Sequence, residues 1–283
     1  LMNTLKTGIL MSLLSVLLVL MGNALMGKSG AVIFFVISLG INFFSYYYSD
    51  RMVIKMTRSR PVSEEQAPEL YAMVRKLTQR AELPMPRLYI TPSEQANAFA
   101  TGRNPEHAAV AVTEGLMKIL NRDEVEGVLA HEIAHIKNRD ILIGTIAASM
   151  AGAISMIANV IQWGAMLGGL GGQSDDEGGT GILGMLAMAI IAPIAALLVQ
   201  MAISRSREYL ADQSGARLAG HSSGLSNALL KLEQTSQRAP MQVNAAASHL
   251  FIVNPLSGGA LLSLFSTHPP VKERVNRLRL MSV

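Results

Sequence analysis

His131-Glu132-Ile133-Ala134-His135 places two imidazoles and a carboxylate within five residues. On a helix, residues four apart share one face, so both rings can bind a single metal ion. Glu132 projects beside them, where its carboxylate can take a proton from a water activated by that metal. This pattern serves zinc-dependent hydrolysis of peptide bonds. The plain alternative is a solvated, charged helix face that spells the motif by accident. The rest of the chain decides between them.

A catalytic zinc usually keeps three protein ligands and one water, so a third ligand must come from elsewhere. Continuation of the motif with glycine and histidine is absent, because Asn138 and Ile141 hold those positions. The chain has no cysteine, which leaves carboxylates together with His107, His221, His249 and His268. Glu208 is the best placed of these, in the run Ser204-Arg205-Ser206-Arg207-Glu208-Tyr209-Leu210-Ala211-Asp212. Asp212 follows one helical turn later, where it can hold the free ring nitrogen of a ligating histidine and fix its tautomer. Spacing alone fits equally well an ordinary surface helix with an Arg-Glu pair.

The elements that position these groups are legible in outline. Asn121 and Glu124 form a capping-box signal, so a helix starts near Arg122 and runs through His135. Upstream, Glu64 to Glu82 reads as an amphipathic helix with Leu70, Val74 and Leu77 on one face. Arg87 to Ile90, Asn97 to Thr101 and Ala108 to Thr113 read as short strands, the last two separated by the turn-rich Gly102-Arg103-Asn104-Pro105. Downstream, helices are expected from Ser204 to Leu218, Ser223 to Thr235 and Val271 to Leu280. The fold class is mainly α with a small β-sheet, an α+β arrangement.

The chain as a whole is too apolar for an ordinary soluble domain. Half of its 283 residues are hydrophobic, with a net charge of +4. Four uncharged blocks carry the excess: Gly8 to Leu25, Ala31 to Tyr48, Ile141 to Leu167 and Ile182 to Ile203. Each suits the roughly 20 residues that span a bilayer core, so four transmembrane helices are expected. The first block reads as an anchor rather than a cleaved signal, since its apolar stretch is long and a second block follows at once. The last two could instead form a buried hairpin, but their small residues and Pro193 suit membrane packing.

Basic residues set the orientation. Arg51, Lys55, Arg58 and Arg60 follow the second block, Lys137 and Arg139 precede the third, and Arg205 and Arg207 follow the fourth. The loop from Gly168 to Gly181 has none and carries Asp175, Asp176 and Glu177. By the positive-inside rule both termini and the polar segments face the cytoplasm. The organisation expected is a transmembrane hairpin (5–48), a cytosolic segment with the H-E-x-x-H helix (49–140), a second hairpin (141–203) and a second cytosolic segment (204–283). His135 lies just before the third block and Glu208 just after the fourth. Both then stand within about 10 Å of the membrane boundary if the helices continue. The hairpin brings them to one depth. Nothing interleaves basic and aromatic residues in the manner of a nucleic-acid surface, and no nucleic acid is expected as a partner.

Four motifs in order resemble peptidase family M48, a family of membrane zinc metalloproteases. They are His131-Glu132-Ile133-Ala134-His135, Arg205 with Glu208-Tyr209-Leu210-Ala211-Asp212, Asn97-Ala98-Phe99-Ala100-Thr101-Gly102, and Ser266-Thr267-His268-Pro269-Pro270. The resemblance covers nearly the whole chain. It implies a cytosolic gluzincin-like protease domain built from two segments of an integral membrane protein. It also implies one Zn2+ per chain on His131, His135 and Glu208, with Asp212 behind them and Glu132 as general base. His268 is then a donor to the oxyanion, although read alone it is as readily a loop residue. Asn97, Ala98 and Phe99 would lie on an edge strand that aligns an extended substrate, where residues alone allow a plain core strand. Arg205 is either structural or substrate-facing.

The resemblance further implies an endopeptidase of the bacterial inner membrane that removes misfolded or damaged membrane proteins on the cytosolic side in response to stress. Its partners would be membrane-protein or unfolded polypeptide substrates and the lipid bilayer. Two other readings are a processing protease for membrane-bound or lipid-linked peptides, and a non-catalytic, metal-stabilised membrane scaffold. Glu132 argues against the scaffold, since a structural zinc site needs no base. Residue types leave the oligomeric state open.

Overall fold

The computed structural model describes residues 2–144, 146, 205–238, 252 and 269–282. Elements are numbered in chain order among these. The first, α1 (Met2–Met56), is two helices merged across a kink at Gly27, whose φ of 62° and ψ of −151° lie outside helical space. The kink falls between the first two apolar blocks and folds them into a hairpin. Asn42 donates to Ser15 Oγ at 2.8 Å and to the Met11 carbonyl at 3.3 Å across the pair. Gly22 permits the approach, since a Cβ there would stand 2.4 Å from the Gly30 carbonyl oxygen.

Gly27–Tyr48 is long and apolar enough to cross a bilayer, whereas Thr7–Leu20 is a shorter apolar helix. Among the described residues there is therefore one candidate span where four were expected in the chain. The third and fourth blocks fall almost wholly outside the described residues. Val32, Val36, Leu39, Phe43 and Phe44 on the spanning helix are exposed, as suits side chains solvated by lipid. The helix continues past Tyr48 to Met56, carrying Asp50, Arg51 and Lys55 on its last turns.

A four-stranded sheet follows, ordered β1-β2-β4-β3. β1 (Arg60–Pro61) pairs antiparallel to β2 (Arg87–Thr91), β2 parallel to β4 (Ala109–Thr113), and β3 (Ala98–Thr101) antiparallel to β4. β4 is buried along its whole length. Its valines and alanines serve two cores because side chains alternate between faces. Val110 and Val112 join Leu88 and Ala98 in the main core, while Ala111 joins Phe99 and Val53 against the end of α1. β3 pairs only with β4 among the described strands.

The helices α2 (Pro68–Ala81), α3 (Glu114–Ile119), α4 (Arg122–Lys137), α5 (Arg205–Ala219), α6 (Ser223–Arg238) and α7 (Val271–Arg279) complete the described fold. α4 is central, with α2, α5, α6 and β3 all packed on it. Its start is fixed by the expected capping box. Asn121 Oδ1 accepts from the Glu124 amide at 3.0 Å, and Glu124 Oε2 accepts from the Asn121 amide at 2.9 Å. β1 and α3 had no counterpart in the sequence reading, being too short for periodicity to register.

Two glycines set how closely the helices approach α4. A Cβ on Gly127 would stand 2.3 Å from the Leu225 amide nitrogen of α6. One on Gly215 of α5 would stand 2.9 Å from both the Cα and the nitrogen of His131. In each case the obstacle is backbone, which cannot step aside. Gly215→Val should therefore separate α5 from α4 and destabilise the protein by about 1–3 kcal/mol, as overpacking does. Denaturant unfolding in detergent reads this directly. A gain in stability would show that the contact is loose.

Candidate metal centre

α4 and α5 meet with their functional faces inward. On α5, Glu208, Ala211, Asp212 and Gly215 are all buried and lie on the face toward α4, in the four-, three- and seven-residue spacing of one helical stripe. Gly215 touches the backbone at His131, so the carboxylates one and two turns earlier reach the imidazoles. His131 and Glu208 are 1% and 5% exposed. His135 is half-buried at the mouth.

The donor atoms converge. His131 Nε2 and His135 Nε2 are 3.1 Å apart, His135 Nε2 is 3.5 Å from Glu208 Oε1, and His131 Nε2 is 3.7 Å from Glu208 Oε2. One ligand atom from each residue lies within 4.8 Å of the others. Donors held about 2.0–2.1 Å from a tetrahedral zinc stand roughly 3.4 Å from one another. The three side chains thus fit such an ion. Imidazole nitrogens and a carboxylate brought this close need a cation among them, either a proton or a metal.

Behind the donors stand two carboxylates. Asp212 Oδ1 lies 3.0 Å from His131 Nδ1. Asp140 Oδ2 lies 3.4 Å from His135 Nδ1. Each ring thus turns its Nε2 to the cluster and its Nδ1 to a carboxylate, the arrangement that fixes tautomers in metal sites. Asp212 was expected from the sequence, but Asp140 was not. It follows the end of α4, and its amide donates to the His135 carbonyl at 2.9 Å.

Arg274 of α7 is the largest omission. It is fully buried, donates through Nε and Nη2 to Asp212 at 2.9 and 2.7 Å, and has Nη1 3.8 Å from Glu208 Oε2. Nη1 also donates to the Ile252 carbonyl at 3.0 Å. The Ile252 amide in turn donates to Asn97 Oδ1 at 3.0 Å. One signal was available. Val271, Arg274, Val275 and Leu278 are the buried residues of α7, so an arginine occupies the apolar stripe of an amphipathic helix. A cation there requires a buried anion.

Electrostatics follow from these neighbours. Burial pushes the Glu132 carboxyl above the usual carboxylate range, and Glu208 adds to this; His131 and His135 oppose it. Burial would lower the His135 pKa, but the Asp140 contact and the charges of Glu208 and Glu132 raise it to about 9. Asp212 resists the upward pull of burial because Arg274 holds it well below the usual range. Burial likewise disfavours charge on Arg274, which the Asp212 pair more than offsets.

The remaining expected residues divide. Glu132 is buried beside the cluster, with the backbone of Ala100 in β3 near its carboxylate. Asn97 is not turned outward: its side chain holds Ile252, and its backbone pairs with Thr113. Ala98 and Phe99 are buried on opposite faces of the sheet. What the segment offers a ligand is therefore its backbone. Arg205 is exposed, on the side of α5 that carries Tyr209 and faces Glu273. His268 and His249 lie outside the described residues. His107 and His221 are bound locally, by Asn104 and by the Gly224 amide, and are not part of the cluster.

The chain is similar to known proteins. The model of Peptidase family M48 matches residues 64–282. A protease HtpX homolog from Pelotomaculum thermopropionicum is 68% identical over 282 residues, covering 100% of both chains. Another from Thermococcus kodakarensis is 54% identical over 276 residues, covering 97% of this chain and 94% of its own. The crystal structure of S. mikatae Ste24p superposes with a TM-score of 0.54 at 19% identity, over 98% of this chain and 64% of that one. At that identity the likeness concerns the fold.

Breaking the buried pair should be costly. Arg274→Met leaves Asp212 charged and dry, and should destabilise the protein by about 3–5 kcal/mol. Adding Asp212→Asn should recover part of that loss in a double-mutant cycle read by thermal unfolding. Strict additivity of the two changes would contradict the coupling.

Proposed function

The chain belongs to peptidase family M48, and from that premise we propose that it is a zinc endopeptidase of the membrane boundary. The observation that carries this reading is the convergence of His131, His135 and Glu208 with Glu132 buried next to them. These three side chains would hold the ion, with Asp212 and Asp140 orienting the rings. When bound, zinc supplies Lewis-acid polarisation of the scissile carbonyl and makes a water easier to ionise.

The chain's own residues do the rest. Glu132 takes the proton of the attacking water, and burial suits it to hold that proton until the leaving amine needs it. The backbone of β3 runs past Glu132, and an extended peptide laid along it would be aligned by main-chain hydrogen bonds. In this reading Asn97, Ala98 and Phe99 serve through their backbone. Asn97 also anchors Ile252, and so links the strand to Arg274 and Asp212. His268 is assigned by family resemblance as donor to the developing oxyanion. It immediately precedes Pro269, Pro270 and α7.

The substrates proposed are misfolded or damaged membrane proteins, cut on the cytosolic side as part of quality control under stress. That assignment rests on kinship with the HtpX homologs and on the packing of the end of α1 against Phe99 of β3. The protein would sit in the bacterial inner membrane as a multi-pass chain with both termini cytoplasmic. The positive-inside arrangement of Arg51, Lys55, Arg58 and Arg60 supports this.

Two tests follow. Glu132→Ala should retain zinc yet lower peptide hydrolysis by about 10²–10⁴-fold; an equally active variant rules out the role of Glu132. Glu208→Ala should lose the metal, and unchanged zinc stoichiometry would mean a different third ligand. Proton linkage supplies an independent check. Below about 9 the metal-free His135 carries a proton that zinc must displace. Apparent affinity should therefore rise with pH, by about tenfold per unit for each proton released, and level off above the His135 pKa. Competition with a chelator measures it, and a flat profile from neutral to alkaline pH would contradict the coupling.

A further inference from the structure

At the end of the membrane hairpin a cavity of about 290 Å³ is lined by Asp50, Arg51, Ile54, Lys55, Ser59, Arg87 and Tyr89. It is built from two distant parts of the chain, the last turns of α1 and strand β2. Three cations and one carboxylate line it, so it keeps an excess of two positive charges. Arg87 is paired with Asp50 at 2.7 Å. Arg51 lies 5.5 Å over the ring of Tyr48, and both Arg51 and Lys55 are exposed. Neither makes a salt bridge to a described carboxylate.

Its position selects the anion. The cavity begins two residues after the candidate span Gly27–Tyr48 ends. Directly above it stand the rings of Phe43, Phe44, Tyr47 and Tyr48, exposed and packed on one another at centroid distances of 4.8–5.8 Å. Aromatic rings at the end of a span mark the headgroup level of a bilayer. A ligand here would meet cations at its polar end and exposed apolar rings at the other. The cavity wall is firm, since Ser59 Oγ is bonded to Thr57 Oγ1 and Thr91 Oγ1 at 2.6 Å each, tying α1 to the sheet.

We infer that this cavity is a binding site for the phosphate headgroup of an anionic phospholipid, held by Arg51, Lys55 and Arg87 with the acyl chains along the exposed face of α1. The inference rests on the membrane placement of α1 and is independent of peptide cleavage. Free phosphate shares the headgroup chemistry but gains nothing from the aromatic rings. The site would couple the leaflet to the sheet, because Arg87 opens β2, the strand next to β4.

The test uses the full-length protein released from nanodiscs of phosphatidylcholine with phosphatidylglycerol, with retained lipid counted by native mass spectrometry. Wild type should keep phosphatidylglycerol in preference to phosphatidylcholine. Arg51→Gln with Lys55→Gln should weaken that preference by about twenty-fivefold, at roughly fivefold per basic residue. The control is Arg58→Gln with Arg60→Gln, two charges on the same segment but outside the cavity, which should retain most of the preference. Circular dichroism should be unchanged in both variants. Equal losses from the two pairs would mean diffuse attraction and overturn the site, as would a wild type with no lipid preference. Displacement of the lipid by millimolar inorganic phosphate would overturn the headgroup assignment in favour of a soluble anion.

Discussion

Two helices touch backbone to backbone where Gly215 of α5 meets His131 of α4, and the chemistry of the molecule depends on that contact. Helical spacing does the remainder. With Gly215 against His131, Asp212 falls beside the Nδ1 of that ring and Glu208 faces both Nε2 atoms. A side chain at position 215 would move both carboxylates outward together. The metal cluster is thus a consequence of helix packing, and neither helix could form it alone.

Such a cluster is unfavourable on its own terms, because it collects Glu132, Glu208, Asp212 and Asp140 around two imidazoles in a mostly dry interior. Arg274 answers part of that cost from the opposite side. Its guanidinium fork matches the two oxygens of Asp212, a bidentate geometry in which charge-assisted bonds are strong. The remaining negative charge calls for a cation between Glu208 and the rings. A divalent ion would answer that need and, in the proposed reaction, would supply the Lewis acid. Stability and chemistry therefore ask for the same occupant.

Much of this was legible in the residues, and what was not had physical reasons. The H-E-x-x-H helix and its capping box are local, so their spacing alone places them. Glu208 was reachable because two apolar blocks lie between it and His135, and a hairpin of them was expected to return the chain to the same depth. Asp212 followed from a single helical turn. Asp140 escaped because it lies beyond the end of α4, where a loop rather than a helical period brings it back to His135. Arg274 escaped for another reason: its helix was expected, but apart from its place in the apolar stripe nothing local marks one cation of the helix as buried. Asn97 was expected to open a strand, but β3 begins at Ala98, and the Asn97 side chain faces inward to Ile252. Orientation of that kind depends on contacts more than 150 residues away. Pairing of β1 with β2 was equally hidden, since two residues carry no alternation.

The direct test of the centre is the ligand set of the bound metal. X-ray absorption at the zinc edge of the loaded protein should show two imidazoles and oxygen donors at about 2.0–2.1 Å, with no sulfur. Three imidazoles in the shell would contradict the meeting of α4 with α5 at Glu208, and would move the third ligand to a histidine elsewhere in the chain.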